Sequence, residues 1–324
     1  GQGPRRLLEK ASRRAMRPHE DDITAWFRQQ SRIDPSAFPI GIGDDMAEVR
    51  LNDAASVLIT TDLLLDGSHF DLKTATLEQV GYKAMAASLS DCAAMATVPL
   101  AAVVAVALPP GFGARRLKEL HAGIAQAAER YDCPLIGGDI TSWRHDHPFA
   151  VNVTMLSRRS TNAPVRRNGA RVGDAVCVTG SLGGSLLRKH LEFEPRIREA
   201  LRMAQTVTLH SMMDISDGLS TDLNRICEQS GVGAILDAAS IPISDDARTL
   251  ADPLAAALHD GEDFELLFTL APGDWARLLQ TWDDPTPIAR IGRIVEGSRM
   301  QLRMPDGQIV ELMPGGYDHL SGPE

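Results

Sequence analysis

The 324-residue sequence contains no Gly-Lys dipeptide, which excludes a P-loop of the form G-x-x-x-x-G-K-[ST]. His-Arg-Asp, Asp-Phe-Gly and a complete G-x-G-x-x-G are missing as well, which removes the protein-kinase set and the dinucleotide fingerprint. Cysteine is scarce. Cys92, Cys133, Cys177 and Cys227 form no C-x-x-C pair, and their wide spacing gives neither a zinc signature nor a disulfide framework. They are expected as buried, reduced thiols of a cytoplasmic protein. Apolar runs are short. Residues 100–108 form the longest, far under the ~20 residues of a membrane helix. No signal-like hydrophobic stretch lies near the start, so neither membrane nor secretory function is expected. Aromatic residues make up only 5%, which makes Phe70, Phe264 and Tyr317, each in a Gly- and Asp-rich loop, unusual.

What is abundant is acid. Asp plus Glu is 43 against 33 for Lys plus Arg, a formal net charge of -10. Such a chain is a poor ligand for nucleic acid or membrane surfaces, and it repels phosphorylated substrates unless cations intervene. The basic residues Arg5, Arg6, Lys10, Arg13, Arg14 and Arg17 crowd the first stretch, so residues 1–20 are set aside as an N-terminal extension.

Two domains are expected from length. Helices are read at 21–30, 76–96, 114–131, 183–190, 195–205, 219–229 and 244–258, the last capped by Ser244. Strands are read at 56–61, 101–108, 149–156, 175–179, 234–236 and 264–270, with Gly137-Gly138-Asp139 following a short apolar step. The polar, Arg-rich segment 158–173 divides the chain into an N-terminal domain, 21–157, and a C-terminal domain, 158–324.

The chemistry lies in aspartates at element ends. Asp44 and Asp45 follow two glycines, Asp62 ends a strand, and Asp139 follows Gly137-Gly138. Asp214 and Asp217 flank Ser216, and Glu262 and Asp263 follow Gly261. Each alone is also an ordinary turn or cap residue. Asp91 is more telling. Between Val80 and Val98 only it and Lys83 are charged, and Val80, Ala84, Ala87 and Asp91 share a helical face. A carboxylate on such a face needs a positive partner, and a metal ion or an arginine would serve equally. Taken together, many oxygen ligands without Cys or His clusters point to Mg²⁺ bound with a polyphosphate.

In order along the chain stand Gly41-Ile42-Gly43-Asp44-Asp45, Thr60-Thr61-Asp62, Gly67-Ser68-His69-Phe70, Tyr82-Lys83-Ala84, Leu89-Ser90-Asp91 and Gly137-Gly138-Asp139-Ile140-Thr141. They continue with Gly169-Ala170-Arg171-Val172-Gly173-Asp174, Asp214-Ile215-Ser216-Asp217-Gly218-Leu219, Gly261-Glu262-Asp263-Phe264-Glu265-Leu266-Leu267-Phe268 and Gly316-Tyr317-Asp318-His319. This series resembles the thiamine-monophosphate kinases, within the aminoimidazole ribonucleotide synthetase-like group of ATP enzymes. The resemblance implies an α+β chain of two mixed α/β-type domains and a homodimer paired through the N-terminal domains around the ATP sites. By position it implies magnesium ligands at Asp45, Thr61, Asp62, Asp91, Asp139, Asp214 and Asp217, and ATP contacts at Gly138, Asp139, Arg167 and Ser216. It further implies thiamine monophosphate contacts at His69, Glu262 and Tyr317. The expected activity is transfer of a phosphoryl group from ATP to thiamine monophosphate with several Mg²⁺ ions and no phospho-enzyme.

The sequence departs from the family pattern in places. Asp260 stands where a first glycine is usual before Gly261-Glu262-Asp263, Ile140 replaces a threonine, and Ala96 and Leu320 replace a glycine and a phenylalanine. Asp66 stands where glutamate is customary. Two other readings stay open at this level: a relative acting on a formylglycinamidine ribonucleotide, selenide or a carbamoylated protein, and a non-catalytic divalent-cation-binding protein.

Overall fold

A computed structural model describes residues 20–318 and 320. Of the basic extension only Glu20 is among them, opening helix α1 (Glu20–Gln30); His319 of the closing motif lies outside the described residues.

The first sheet runs β1 (Ala47–Asn52), β2 (Ala55–Leu65), β5 (Ala150–Arg159), β3 (Thr97–Leu108), β4 (Leu135–Ser142) in spatial order. Strand β2 alternates. Leu58, Thr60, Asp62 and Leu64 face inward, while Ile59, Thr61 and Leu63 face out. Two polar residues on the inward parity of a strand mark the site.

Over the inner face lies helix α2 (Leu77–Ala94), started by a capping box in which Gln79 N donates to Thr76 Oγ1 at 3.1 Å and Thr76 N to Gln79 Oε1 at 3.0 Å. Its small residues let it be buried almost throughout. It crosses helix α3 (Gly113–Arg130) at close range: a Cβ on Gly81 would stand 2.1 Å from Leu120 O, and one on Gly123 only 1.8 Å from Glu78 O. Both positions must therefore be glycine.

The second sheet has the order β12 (Ile309–Glu311), β11 (Met300–Arg303), β8 (Gly233–Asp237), β10 (Ile288–Val295), β6 (Ala175–Thr179), β9 (Leu266–Leu270), β7 (Leu209–Asp214). Strands β6 and β9 are buried on both sides, as their continuous apolar runs require. Ala175, Cys177, Met212, Leu266, Phe268 and Leu270 share one core with α2 and α4 (Ile197–Thr206). Val176, Val178, Met213 and Leu267 turn to a second core with α5 (Leu219–Ser230) and α6 (Pro253–His259). Helix α2 thus lies between the two domains and touches both. All four cysteines are buried and unpaired.

Three expectations are corrected. Residues 183–190 form two short 3₁₀ turns, Ser185–Leu187 and Lys189–Leu191, because Gly183 and Gly184 take positive φ and the stretch is held by side chains from elsewhere. Residues 244–258 are not one helix. Only a 3₁₀ turn, Ala247–Thr249, forms there; its N-cap is Asp246, and Ser244 Oγ accepts from Ala247 N at 2.9 Å. Helix α6 starts afresh at Pro253, with Asp252 Oδ1 accepting from Ala255 N at 3.0 Å. Gly137-Gly138-Asp139 lies within edge strand β4 rather than after it.

Candidate active site

Three carboxylates from three separate segments converge. One oxygen each of Asp45, Asp91 and Asp214 lies within 4.8 Å of the others. Asp45 comes from the loop before β1, Asp91 from α2 and Asp214 from the end of β7. Helix α2 aligns the set through its serines: Ser88 Oγ donates to Asp62 Oδ2 at 2.5 Å and Ser90 Oγ to Asp214 Oδ2 at 2.6 Å. The Thr60 hydroxyl donates to Asp91 Oδ2.

Burial, then the neighbouring charges of Asp62, Asp214 and Asp45, push the Asp91 carboxyl well above the usual range. Burial and Asp45 do the same to Asp214. Burial raises Asp62, with Asp45 adding to the shift. Buried like charges repel unless a cation or proton intervenes. An all-oxygen donor set under this strain fits a hard divalent ion such as Mg²⁺. Asp91 therefore faces other carboxylates and no arginine reaches it among its named partners, so of the two partners left open by sequence the arrangement fits a metal ion.

Arg167 reaches the same centre. Its Nη2 and Nε donate to Asp45 Oδ1 and Oδ2 at 2.6 and 3.2 Å, a two-pronged pair. Although burial opposes it, Asp45 holds the guanidinium pKa above its ordinary value. Asp44 fixes the neighbouring backbone, accepting from Arg167 N and Arg166 Nε, both at 2.9 Å.

Beside the aspartates opens a cavity of about 490 Å³ between the domains. Asp62, His69, Ser216, Asp217, Glu262 and Tyr317 line it. His69 Nδ1 accepts from Leu65 N at 3.0 Å, which places the proton of the neutral ring on Nε2. Glu262 sits at φ 64°, held by its N–H to Ser216 O at 2.7 Å. A non-glycine residue in that conformation stores strain and is worth a functional explanation. Asp260 is used locally: its Oδ2 accepts from Gly184 N at 2.9 Å, so the unusual residue tethers the adjoining turn.

The 216–218 loop is organised by a residue that sequence reading passed over. Asp222 Oδ2 accepts from the N–H groups of Ser216, Asp217 and Gly218 at 3.1, 3.1 and 3.2 Å. Arg225 Nη1 bridges Asp222 Oδ1 at 2.8 Å and Asp217 Oδ2 at 2.6 Å. Burial and then Asp217 push the Asp222 carboxyl up to about 7. The signal was present as an acid four residues after Gly218, one helical turn into α5.

Two expected metal positions lie apart from the cluster. The Thr61 hydroxyl points to the outer face, 3.0 Å from Thr154 Oγ1, and it is Thr60 that meets Asp91, although Thr61 does line the cavity beside Asp62. Asp139 and Gly138 lie on edge strand β4, where Asp139 pairs in register with Ala105, Ala105 with Asn152, and Asn152 with Leu63. Three strand spacings, about 14 Å, therefore separate Asp139 from β2. Asp217 lies in the cavity wall, against Arg225.

Of the three unusual aromatics, Phe264 is buried and stacks on Phe193 with ring centroids 4.0 Å apart. Phe70 is buried against Phe149, at 6.2 Å. Both anchor loops, and Phe264 together with half-exposed Tyr317 lines the cavity.

The family described as AIR synthase related protein matches the chain twice, its N-terminal domain over residues 43–158 and its C-terminal domain over 171–305. The curated thiamine-monophosphate kinase of Rhodopirellula baltica is 37% identical over 312 residues, 93% of this chain and 97% of that one. Among solved structures, AaThiL complexed with AMPPCP and TMP matches with a TM-score of 0.78 at 29% identity, over 93% of this chain and 97% of the other. The thiamine-monophosphate kinase of Stenotrophomonas maltophilia matches with a TM-score of 0.70 at 30% identity, over 89% and 96%.

Proposed function

The chain belongs to the thiamine-monophosphate kinase family, and on that premise we propose that it phosphorylates thiamine monophosphate to the diphosphate with ATP, in the cytoplasm, by direct in-line transfer. The observation that carries this is the convergence of Asp45, Asp91 and Asp214, with Asp62 beside them, from segments far apart in sequence. A relative of the same fold is complexed with an ATP analogue and TMP.

The acceptor is a phosphate monoester, largely ionised at neutral pH, so it needs little help from a general base. The barrier is the meeting of two anions in line. Asp45, Asp62, Asp91 and Asp214 would hold Mg²⁺, with Asp217 joining from the cavity wall. Bound there, the ions neutralise the phosphates and stabilise charge on the transferred group. Arg167, tethered to Asp45, adds a fixed positive charge at that end. His69, Glu262 and Tyr317 line the acceptor's side of the cavity and orient it, and Ser216 borders the same wall on the nucleotide side. The carboxylates move no proton in this scheme, and no nucleophilic Ser, His or Cys is required.

Gly138 and Asp139 enter through a homodimer. They lie on an exposed edge strand, and the sheet's outer face carries exposed Ile59, Leu63 and Val103. Thr61 and Leu63 of this face also line the cavity, so a second copy laid on it would bring its β4 to the cavity's edge. Incubation with ATP and thiamine monophosphate, with Mg²⁺ or with EDTA, tests the proposal: diphosphate forms only with the metal. Parallel incubations with the acceptors of related enzymes should give nothing. A folded protein that makes no thiamine diphosphate with Mg²⁺ overturns the reading.

A further inference from the structure

Helix α2 carries a second lone charge. Lys83 is 1% exposed, yet it borders the same cavity as Glu262. Its Nζ donates to the His69 carbonyl oxygen and to Glu262 Oε2, the latter at 2.5 Å, and lies 2.9 Å from His190 Nδ1. His190 Nδ1 is itself 3.1 Å from Glu262 Oε2. Three segments therefore meet on one ammonium: the turn after β2, the Lys189–Leu191 turn and the loop before β9. The first belongs to the N-terminal half and the others to the C-terminal half.

We propose that Lys83 is a positioning residue for the ring end of the acceptor. It fixes the gap between His69 and Glu262 and occupies Glu262 Oε2, so that Oε1 is presented to a ligand amine. This rests on the function proposed above. Lys83 precedes Asp91 by eight residues on one helix, about 12 Å along its axis. The phosphate must lie at the aspartates, so the far end of the molecule falls beside Lys83 and Glu262, with Ala87 lining the cavity between. A heteroaromatic ring bearing an exocyclic amine is the chemistry this end accepts: Glu262 takes its N–H, and the His69 ring faces it as the neutral Nε2–H tautomer. A buried ammonium is costly, and burial lowers the Lys83 pKa while Glu262 opposes the change. Burial in turn works against the Glu262 carboxylate, but His190 and Lys83 hold its pKa below the ordinary value. Each charge keeps the other ionised, and the fold retains both at the cavity rather than an apolar pair.

The test is steady-state kinetics of wild type, Lys83→Met, Lys83→Arg and His190→Gln. Two acceptors are used: thiamine monophosphate and a thiazole ethyl phosphate that lacks the aminopyrimidine. We expect Lys83→Met to raise KM for thiamine monophosphate about tenfold while KM for ATP stays within about twofold. Lys83→Arg should recover part of the loss. His190→Gln, at the rim of the cluster, should show the same split at roughly threefold, and it serves if Lys83→Met fails to fold. With the truncated acceptor wild type and variants should coincide, because the ring that Glu262 reads is missing. KM values for both substrates rising together, or KM unchanged in folded variants, overturns this inference alone. Wild type that makes no diphosphate overturns the functional reading and this inference with it.

Discussion

Ser90 Oγ, on the central helix of the first domain, donates to Asp214 Oδ2, at the end of an outer strand of the second, at 2.6 Å. The neighbouring residue on that helix, Asp91, supplies the carboxylate that Asp214 faces. One helical segment therefore sets both the charge and the spacing of the carboxylate cluster, and it ties the two domains together there.

Asp91→Asn should abolish diphosphate formation, by at least about 10²-fold, without unfolding the protein. The fold should be as stable as wild type or more so in EDTA, since a carboxylate whose burial and acidic neighbours raise its pKa has been removed. Mg²⁺ should raise the Tm of wild type and much less that of the variant, in line with mass action on a native-state ligand. Product assay and thermal melts with and without Mg²⁺ check both; near-normal turnover in Asp91→Asn would count heavily against the assigned site.

Asp222→Ala should be among the most damaging changes away from the Asp45, Asp91 and Asp214 cluster. It strips the acceptor from three backbone N–H groups and breaks a buried pair with Arg225, at a cost of about 3 kcal/mol or more. Asp222→Asn keeps one oxygen for those N–H groups and should lose less. Urea unfolding gives the stabilities. Turnover should fall further than stability alone explains, because Ser216 and Asp217 sit on the released loop.

Much of this arrangement was legible before any coordinates. Asp91 stood out because a charge on an Ala-rich helix face must be met by something, and it is met by Thr60 and a ring of acids. The same logic applied to Lys83 on the same helix and would have found the second cluster. Asp222 was hidden because its partners are backbone N–H groups, which leave no mark in a sequence. The long helix expected over 244–258 failed at Asp252-Pro253, where a cap and a proline at the first helical position restart the chain. Asp139 was read as an element-end acid but lies inside edge strand β4, because which segment forms the edge of a sheet depends on pairing between distant segments.

Asp263 gives a pH signature. It accepts from Gly183 N at 2.9 Å and from the Ser185 hydroxyl, and burial raises its pKa from 3.8 to about 6. A raised folded-state value means the native protein holds the proton more tightly than the unfolded chain. The stability this group contributes is complete below about pH 4 and is lost as pH rises through about 6, by at most about 3 kcal/mol. Asp263→Asn removes that titration. The stability of the variant relative to wild type should therefore rise between pH 4 and pH 6.5 and stay flat above it. Urea melts across that range measure it, and a difference that is constant with pH would show that Asp263 does not titrate there.

The outer face of the first sheet sets the last prediction. Ile59, Leu63 and Val103 are exposed there by 36%, 55% and 38%, and Asp139 shares that face at its edge. If the second copy covers it, each site draws Asp91 from one subunit and Asp139 from the other. Ile59→Arg combined with Val103→Asp, both outside the cavity lining, should then give a monomer by light scattering, without turnover. The sharper test mixes two inactive proteins, Asp91→Asn and Asp139→Asn, by co-expression. Half of the random dimers are mixed, and each mixed dimer has one site with both carboxylates intact, so activity should return to about a quarter of wild type. If Asp139 served the site of its own subunit, no mixture would recover, since every site would lack one of the two acids.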